Sequence, residues 1–258
     1  MSSSHSSRFL LVLVAIVISA GIATGVTVSD ENTPADAEVG TTVEVSYTLE
    51  ELFQDPNYEV WTLRGETELR NVTWTFELVD QAGNVGETNN ADGQNVTQAL
   101  SIDDGTSEVE VQVTGTVPPV EAFSYDPAPA FLVAELTHTR EGGSSSSIER
   151  FEAGRYTDES REAREAIESA ESVVESSESD QAQESLQSAI SAYEGENFEL
   201  AIQLAERAER EANQAEQAAN QARQRNQLIV YGAIGLVVLL VVVGVVYWFV
   251  NRDTASRL

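Results

Sequence analysis

The chain has 258 residues and a formal net charge of −29, from 43 acidic and 14 basic residues. Every basic residue is Arg, and the sequence contains neither Lys nor Cys. These absences exclude disulfides, thiolate metal ligands, cysteine nucleophiles, phosphate loops that need Lys, and Schiff-base catalysis. A chain this acidic repels phosphate, so nucleic acid is not an expected partner.

The replacement of Lys by Asp and Glu resembles the surfaces of proteins from salt-loving archaea. At molar salt the Debye length is roughly 3 Å, so neighbouring carboxylates scarcely repel one another. In dilute buffer the same surface repels itself. A disordered acidic chain is the alternative, but 41% of the residues are hydrophobic and they follow regular periods.

Residues 1–23 have the order of a secretory signal peptide. Arg8 precedes the apolar run Phe9–Ile18, and small residues follow it. Cleavage after Ala20 or Ala23 and retention as an N-terminal anchor both fit this pattern. Either reading predicts that the following chain is exported.

Residues 228–250, "LIVYGAIGLVVLLVVVGVVYWFV", carry no charge. A helix of this length extends about 34 Å and would cross a hydrocarbon core of roughly 30 Å. We therefore expect one C-terminal transmembrane helix followed by a short cytoplasmic tail, 251–258. The predicted localisation is the cell membrane, single-pass, with the N-terminal domain extracellular.

Residues 27–152 alternate apolar and polar side chains with a period of two, as in "TTVEVSYTLE", "NVTWTFELVD" and "EVEVQVTG". Turn residues separate these stretches, and we expect the segment 80–94 to be a solvated loop. The pattern predicts seven or eight short strands in an antiparallel β-sandwich of immunoglobulin-like shape. The expected aromatic core residues are Trp61, Trp74, Phe76 and Phe131.

Two stretches of this domain match the N-x-[ST] acceptor for N-glycosylation, at Asn71 and at Asn95. If Val72 and Trp74 face the core, Asn71 must face water. Asn95 follows a polar stretch and should also be accessible. Both are predicted glycosylation sites, and the sequence does not distinguish between them.

No catalytic, cofactor or metal site is predicted. His5 lies before the signal core and His138 near a strand end, so the two His do not form a triad with Ser and Asp. The pair Asp103 and Asp104 is explained by turn chemistry. We expect no cofactor and no enzymatic activity.

Residues 157–227 change to a helical period and predict an acidic helical stem. Thr157 and Ser179 are expected N-caps of two helices, and a third helix follows the turn "EGEN". The third helix carries a heptad seam that is almost entirely Ala, which predicts a helical hairpin or coiled coil. Its partner is either the first two helices or a second copy, which would make a homodimer. The seam residues are Phe198, Ala201, Ala205, Ala208, Ala212, Ala215, Ala219 and Ala222.

Within residues 188–208, the stretch "SAYEGENFELAIQLAERA" resembles the helical hairpin of tetratricopeptide repeats. It occurs once, whereas a stable array needs about three repeats. The resemblance implies helix packing of that kind and no binding site.

The sequence as a whole predicts an α+β, membrane-anchored and non-enzymatic surface protein. In the leading hypothesis, the β-sandwich binds an extracellular protein or a surface layer and the stem holds it away from the membrane. The alternative is an accessory or sensor subunit of a membrane complex, docked through the stem and the transmembrane helix.

Overall fold

The computed structural model describes residues 25–54, 59–140 and 143–252, without the side chains of 224–237, 247 and 249–252. The predicted signal segment 1–23 and residues 253–258 of the predicted tail lie outside this part of the chain. The chain divides into two compact units. The first comprises Met1–Pro119 and Ala130–Arg155, and the second comprises Val120–Pro129 and Tyr156–Leu258.

The first unit is built from two five-stranded sheets, with the strand orders β1-β3-β8-β5-β6 and β2-β10-β9-β4-β7. Every strand pair whose register is described is antiparallel. The strands are β1 Thr27–Glu31, β2 Asp36–Glu38, β3 Thr42–Glu50, β4 Val60–Glu66, β5 Arg70–Asp80, β6 Val85–Asp92, β7 Asn95–Ser101, β8 Thr106–Thr116, β9 Ala130–Thr139 and β10 Ser145–Tyr156.

One hydrophobic core lies between these sheets, because alternate residues of the central strands point inward. Tyr47 on β3 stacks on Phe151 of β10 with ring centroids 4.1 Å apart, which joins the two sheets. Burial raises the pKa of the Tyr47 hydroxyl to about 12, and its hydrogen bond with Thr33 opposes that rise. The predicted aromatic core is confirmed: Trp61, Trp74, Phe76 and Phe131 are all buried.

The prediction of seven or eight strands is wrong in number, since the described residues of the unit form ten. The segment 80–94, predicted as a loop, contains the edge strand β6. Its side chains are exposed or half-exposed along the whole strand, so no apolar alternation marks it in the sequence. Hydrogen bonds to the backbone of β5 form this strand without a buried side-chain face.

The second unit contains the helices α1 Asp158–Ser176, α2 Asp180–Glu194 and α3 Phe198–Arg252. Both predicted N-caps are confirmed. The Thr157 hydroxyl accepts a hydrogen bond from the Ser160 backbone amide and Ser160 returns one, which forms a capping box. The Ser179 hydroxyl accepts a hydrogen bond from the backbone amide of Ala182.

The predicted coiled-coil stem is wrong. The N-terminal part of α3 packs against both α1 and α2 of the same chain, and α1 also contacts α2. The three helices enclose a small core of Ala with Ile167, Val174 and Tyr193. A heptad spacing shows which face of a helix is buried but does not identify the partner that buries it. In this chain the two short helices α1 and α2 together cover that face of α3.

The predicted transmembrane helix is contradicted as well. Nowhere in the described part of the chain does a helix carry an apolar stretch long enough to cross a bilayer. The predicted span begins with residues 228–237, and their side chains lie outside the described part of the chain. The apolar run of the span that the structure describes is Val238–Val246. The predicted single-pass localisation, which rested on this helix, is therefore wrong.

Candidate functional site

A groove of about 840 Å³ opens where β5 begins and where β6 turns into β7. Four side-chain or backbone hydrogen bonds fix its walls. The Gly93 amide donates to Val72 O at 3.0 Å, and the Trp74 indole donates to Gly93 O at 3.0 Å. The Thr73 hydroxyl donates to the Asp92 carboxylate at 2.9 Å, and the Gln94 side-chain amide donates to Leu69 O at 2.9 Å. The groove is therefore a fixed feature of the sandwich. Its lining residues are Arg70, Asn71, Val72, Thr73, Asp92, Gly93 and Gln94.

Asn71, the first predicted glycosylation site, lies on the rim of this groove. It is exposed, whereas Val72 and Trp74 are buried, as the sequence predicted. Its φ of +52° is left-handed, and the pairing of β5 with β8 shifts register between Arg70 and Thr73. Asn is one of the few residues that adopt this conformation readily.

A glycine on the neighbouring strand accounts for this bulge. A Cβ atom on Gly115 would lie 2.9 Å from Leu69 Cβ and 3.2 Å from Arg70 O. The missing side chain lets β5 approach β8 closely as it bends.

Asn95, the second predicted site, is the first residue of β7 and pairs with Glu66 of β4. It is exposed, but its side-chain oxygen accepts a hydrogen bond of 2.9 Å from Arg64 Nη2. The same Arg64 nitrogen lies 3.2 Å from the Glu66 carboxylate. Asn95 is therefore held in a polar network on the sheet.

His138 is buried on β9, and its ring lies against Trp61 with centroids 4.5 Å apart. Burial, aided by the charge of Arg140, lowers the pKa of this imidazole. Asp103 and Asp104 lie in a short 3₁₀ helix that connects β7 to β8, where the Ser101 hydroxyl accepts from the Asp103 amide. In the described ranges, no group of His, Asp and Glu is arranged to hold a metal ion.

The predicted Ala seam of α3 divides into a buried and an uncovered part. Its first half packs into the helical core, and Phe198 is half-buried at the start of the helix. Ala215 is half-buried, and Ala219 and Ala222 are exposed. The four buried Ala residues are Ala201, Ala205, Ala208 and Ala212.

A segment outside the predicted stem contributes to the helical core. Residues 120–129, between β8 and β9, belong to the second unit. Phe123 and Tyr125 both meet Tyr193 edge to face, with centroids 6.1 Å away. The Arg164 guanidinium donates to Tyr125 O at 2.6 Å, and the Tyr125 hydroxyl donates to the Glu171 carboxylate at 3.0 Å. The Pro residues of this segment predict turns, and the two aromatic residues among them are the signal that it packs against the helices.

A polar cluster centred on Glu211 links α2 to α3. Its carboxylate accepts hydrogen bonds from the Ser185 hydroxyl at 2.6 Å, the Gln181 side-chain amide at 2.7 Å and Arg207 Nε at 2.8 Å. Burial acts to raise the pKa of Glu211, but these three donors outweigh it and the pKa is lowered. The cluster is internally satisfied and acts as a structural contact.

The main uncovered apolar surface of the described helices is the run Val238–Val246 on α3. Its Val and Leu side chains are each 54–62% exposed. A Cβ atom on Gly244 would meet no atom within 4 Å. Nine consecutive residues make about 2.5 helical turns, so this apolar surface surrounds the helix.

No protein family and no curated protein matches the sequence. Solved structures give only remote similarities. A DUF4466 family protein from Parabacteroides merdae is 10% identical, with a TM-score of 0.30, and the match covers 52% of this chain and 44% of that one. The alkylpurine DNA glycosylase AlkC from Pseudomonas fluorescens is 12% identical, with a TM-score of 0.27, over 53% of this chain and 32% of that one.

A variant of the SrpA adhesin from Streptococcus sanguinis is 15% identical, with a TM-score of 0.25, over 54% of this chain and 62% of that one. The chain thus spans between 32% and 62% of the lengths of these three proteins.

Proposed function

We propose that this chain is a non-enzymatic subunit of a protein assembly. In this proposal, the C-terminal part of α3 docks among helices of other subunits, and the β-sandwich is the binding or structural domain that the subunit contributes. The observation that carries the proposal is the exposed apolar run Val238–Val246. Apolar surfaces of this extent on a folded protein mark interaction sites.

The distribution of the apolar residues supports several partner helices rather than one. A single partner helix covers one stripe of its neighbour, whereas a helix that is hydrophobic all round is buried on every side. The Val and Leu side chains of Val238–Val246 point in all directions around α3. A bundle of helices from other subunits would cover them completely.

The charge distribution along α3 supports the same proposal. Between Glu216 and Asp253 the sequence contains no acidic residue, although the whole chain carries 43. Arg223, Arg225 and Arg252 fall in that interval. This part of the chain can therefore approach an acidic protein of the same kind without the repulsion that the remaining surface creates.

The state of the titratable groups supports a non-enzymatic role. The His138 imidazole is buried against Trp61, where no substrate can reach it. The shifted pKa values of two carboxylates have local structural causes: burial raises the pKa of Glu108 on β8, and hydrogen bonds from Asn84 lower that of Asp80 at the end of β5.

Site-specific photocrosslinking in the source cells tests the proposal. A photoreactive amino acid at Val241 or at Val245, one turn further, should yield crosslinks to the same protein. Leu200 provides the matched control, because it is also apolar, 42% exposed and on α3, but isolated from the apolar run. At Leu200 we expect no discrete product.

Equal crosslinking at Val241 and Leu200 would contradict the proposal. So would products at Val241 and Val245 that carry lipid instead of protein. Crosslinks between copies of this chain would place the docking within a homo-oligomer.

A further inference from the structure

We infer that Asn71, and not Asn95, is the residue of this chain that carries an N-linked glycan. The ligand class is a sugar joined through its anomeric carbon to the side-chain amide. Both residues begin an N-x-[ST] acceptor, so the sequence alone treats them equally. The surroundings of the two side chains separate them.

The first difference is the freedom of the acceptor amide. Asn71 lies at the register shift between β5 and β8, has a left-handed φ of +52°, and is exposed. Its side chain makes no hydrogen bond to another described residue. Attachment of a sugar to its Nδ2 atom therefore breaks no contact within the fold.

The second difference is space. An open surface groove lies directly beside Asn71 and leaves room for a sugar. Its walls present polar groups, among them the exposed side chains of Arg70, Thr73 and Asp92. The first sugar can hydrogen-bond to these groups and remain open to solvent on its outer side.

Asn95 lacks this freedom. Its Oδ1 atom accepts the hydrogen bond from Arg64, and its backbone pairs with Glu66 of β4. The Arg64 guanidinium in turn contacts the Glu66 carboxylate. A transferase would have to release the Asn95 side chain from Arg64 before its amide could turn toward the sugar donor.

The modification is a group transfer from a sugar bound to a carrier lipid through phosphate or diphosphate. The Nδ2 atom of Asn71 forms a bond to the anomeric carbon, and the bond from that carbon to the phosphate oxygen breaks. The phosphate leaves with the electron pair, and the proton lost from Nδ2 passes to a base of the transferase. The product is a neutral N-glycosidic amide.

Mass spectrometry of the full chain purified from its source cells tests the inference. Trypsin leaves both acceptors on one peptide, because no Arg or Lys occurs between Asn71 and Arg140. Cleavage after Glu separates them into Leu69–Glu77 and Thr88–Glu108. We expect the glycan mass on the first peptide only.

Substitutions at Thr73 distinguish loss of the acceptor from loss of the fold. Thr73→Ser keeps both the acceptor motif and the hydroxyl that donates to Asp92, so the glycan should remain. Thr73→Val removes the hydroxyl and should abolish the glycan, as should Asn71→Gln, whereas Asn95→Gln should leave the mass unchanged. A glycan on the peptide Thr88–Glu108, or on neither peptide, would overturn the inference.

Discussion

Gly65 on β4 lies directly beneath the indole ring of Trp74 in the sandwich core. A Cβ atom at this position would lie 2.7 Å from Trp74 Cζ3 and 2.8 Å from Cη2, closer than carbon atoms can approach. Trp74 is fully buried and donates a hydrogen bond to Gly93 O, so its ring cannot move aside without loss of that contact. The position of one glycine thus decides how one of the two core Trp residues packs.

We expect Gly65→Ala to lower the free energy of unfolding by about 1–3 kcal/mol, the usual cost of overpacking a core. Gly86→Ala on β6 is the matched control, since its nearest atom would be Leu78 O at an ordinary 3.6 Å. Urea denaturation of the two variants measures the difference. Equal stability would contradict the packing described for Trp74.

His138 makes the stability of the chain depend on pH. Burial, then the charge of Arg140, lowers its pKa in the folded state. As the pH falls through about 6.5, the ordinary His value, the unfolded chain takes up a proton before the folded chain does. The free energy of unfolding should therefore decrease from pH 6.5 down to the folded pKa, and the contribution of His138 is complete above pH 6.5.

The variant His138→Phe keeps a ring against Trp61 but cannot bind a proton. Denaturation curves between pH 5 and 8 should show a smaller loss of stability for this variant than for the wild type. Parallel curves would mean that His138 does not titrate differently on folding.

At the level of elements, the sequence predicts best those strands and helices that have one buried face. The strands β3, β5 and β8 alternate buried and exposed residues, so a period of two reveals them. The edge strand β6 pairs with β5 but has no buried side-chain face, so it leaves no such pattern. The acceptor motif at Asn71 can be read directly from the sequence. The bulge that frees its side chain cannot, because it depends on how β5 pairs with β8.

The helices show where a periodic pattern stops being informative. The heptad spacing identified the face of α3 that is buried, but it continues past the point where α1 and α2 cover it. Ala208 is buried and Ala219 is exposed, although both occupy the seam. Burial here depends on the lengths of two other helices, which the spacing within α3 does not encode.

This difference predicts opposite effects of one substitution. Ala208→Leu forces three extra carbon atoms into the closely packed helical core and should cost about 1–3 kcal/mol or more of stability. Ala219→Leu, three turns further along the same seam, should change stability by less than about 0.5 kcal/mol. Thermal unfolding followed by circular dichroism compares them, and a large loss at Ala219 would contradict the extent of the helical core.

At the scale of the whole molecule, charge governs the conditions under which the chain folds. Residues 155–225 carry 17 acidic and 7 basic side chains, a net charge of 7 − 17 = −10. The ion pairs of α3 between Arg207 and Glu211 and between Arg210 and Glu206 offset only part of this repulsion. Added salt screens the remainder.

We therefore propose that the fold is adapted to high salt, in keeping with the Lys-free composition. The helical signal of the chain at 222 nm should be weak in dilute buffer and rise in molar KCl. Helicity that does not change with salt would contradict this adaptation.

The docking of α3 in a protein assembly is the central claim, and sedimentation of the chain from gently lysed source cells tests it most directly. The wild type should sediment as a complex much larger than its mass of 28.0 kDa. A variant with Val238, Val241, Val242 and Val245 changed to Ser should sediment as a single chain, whereas Leu200→Ser should behave as the wild type. If the wild type and the four-Ser variant sediment alike, the apolar run of α3 does not hold this protein in an assembly.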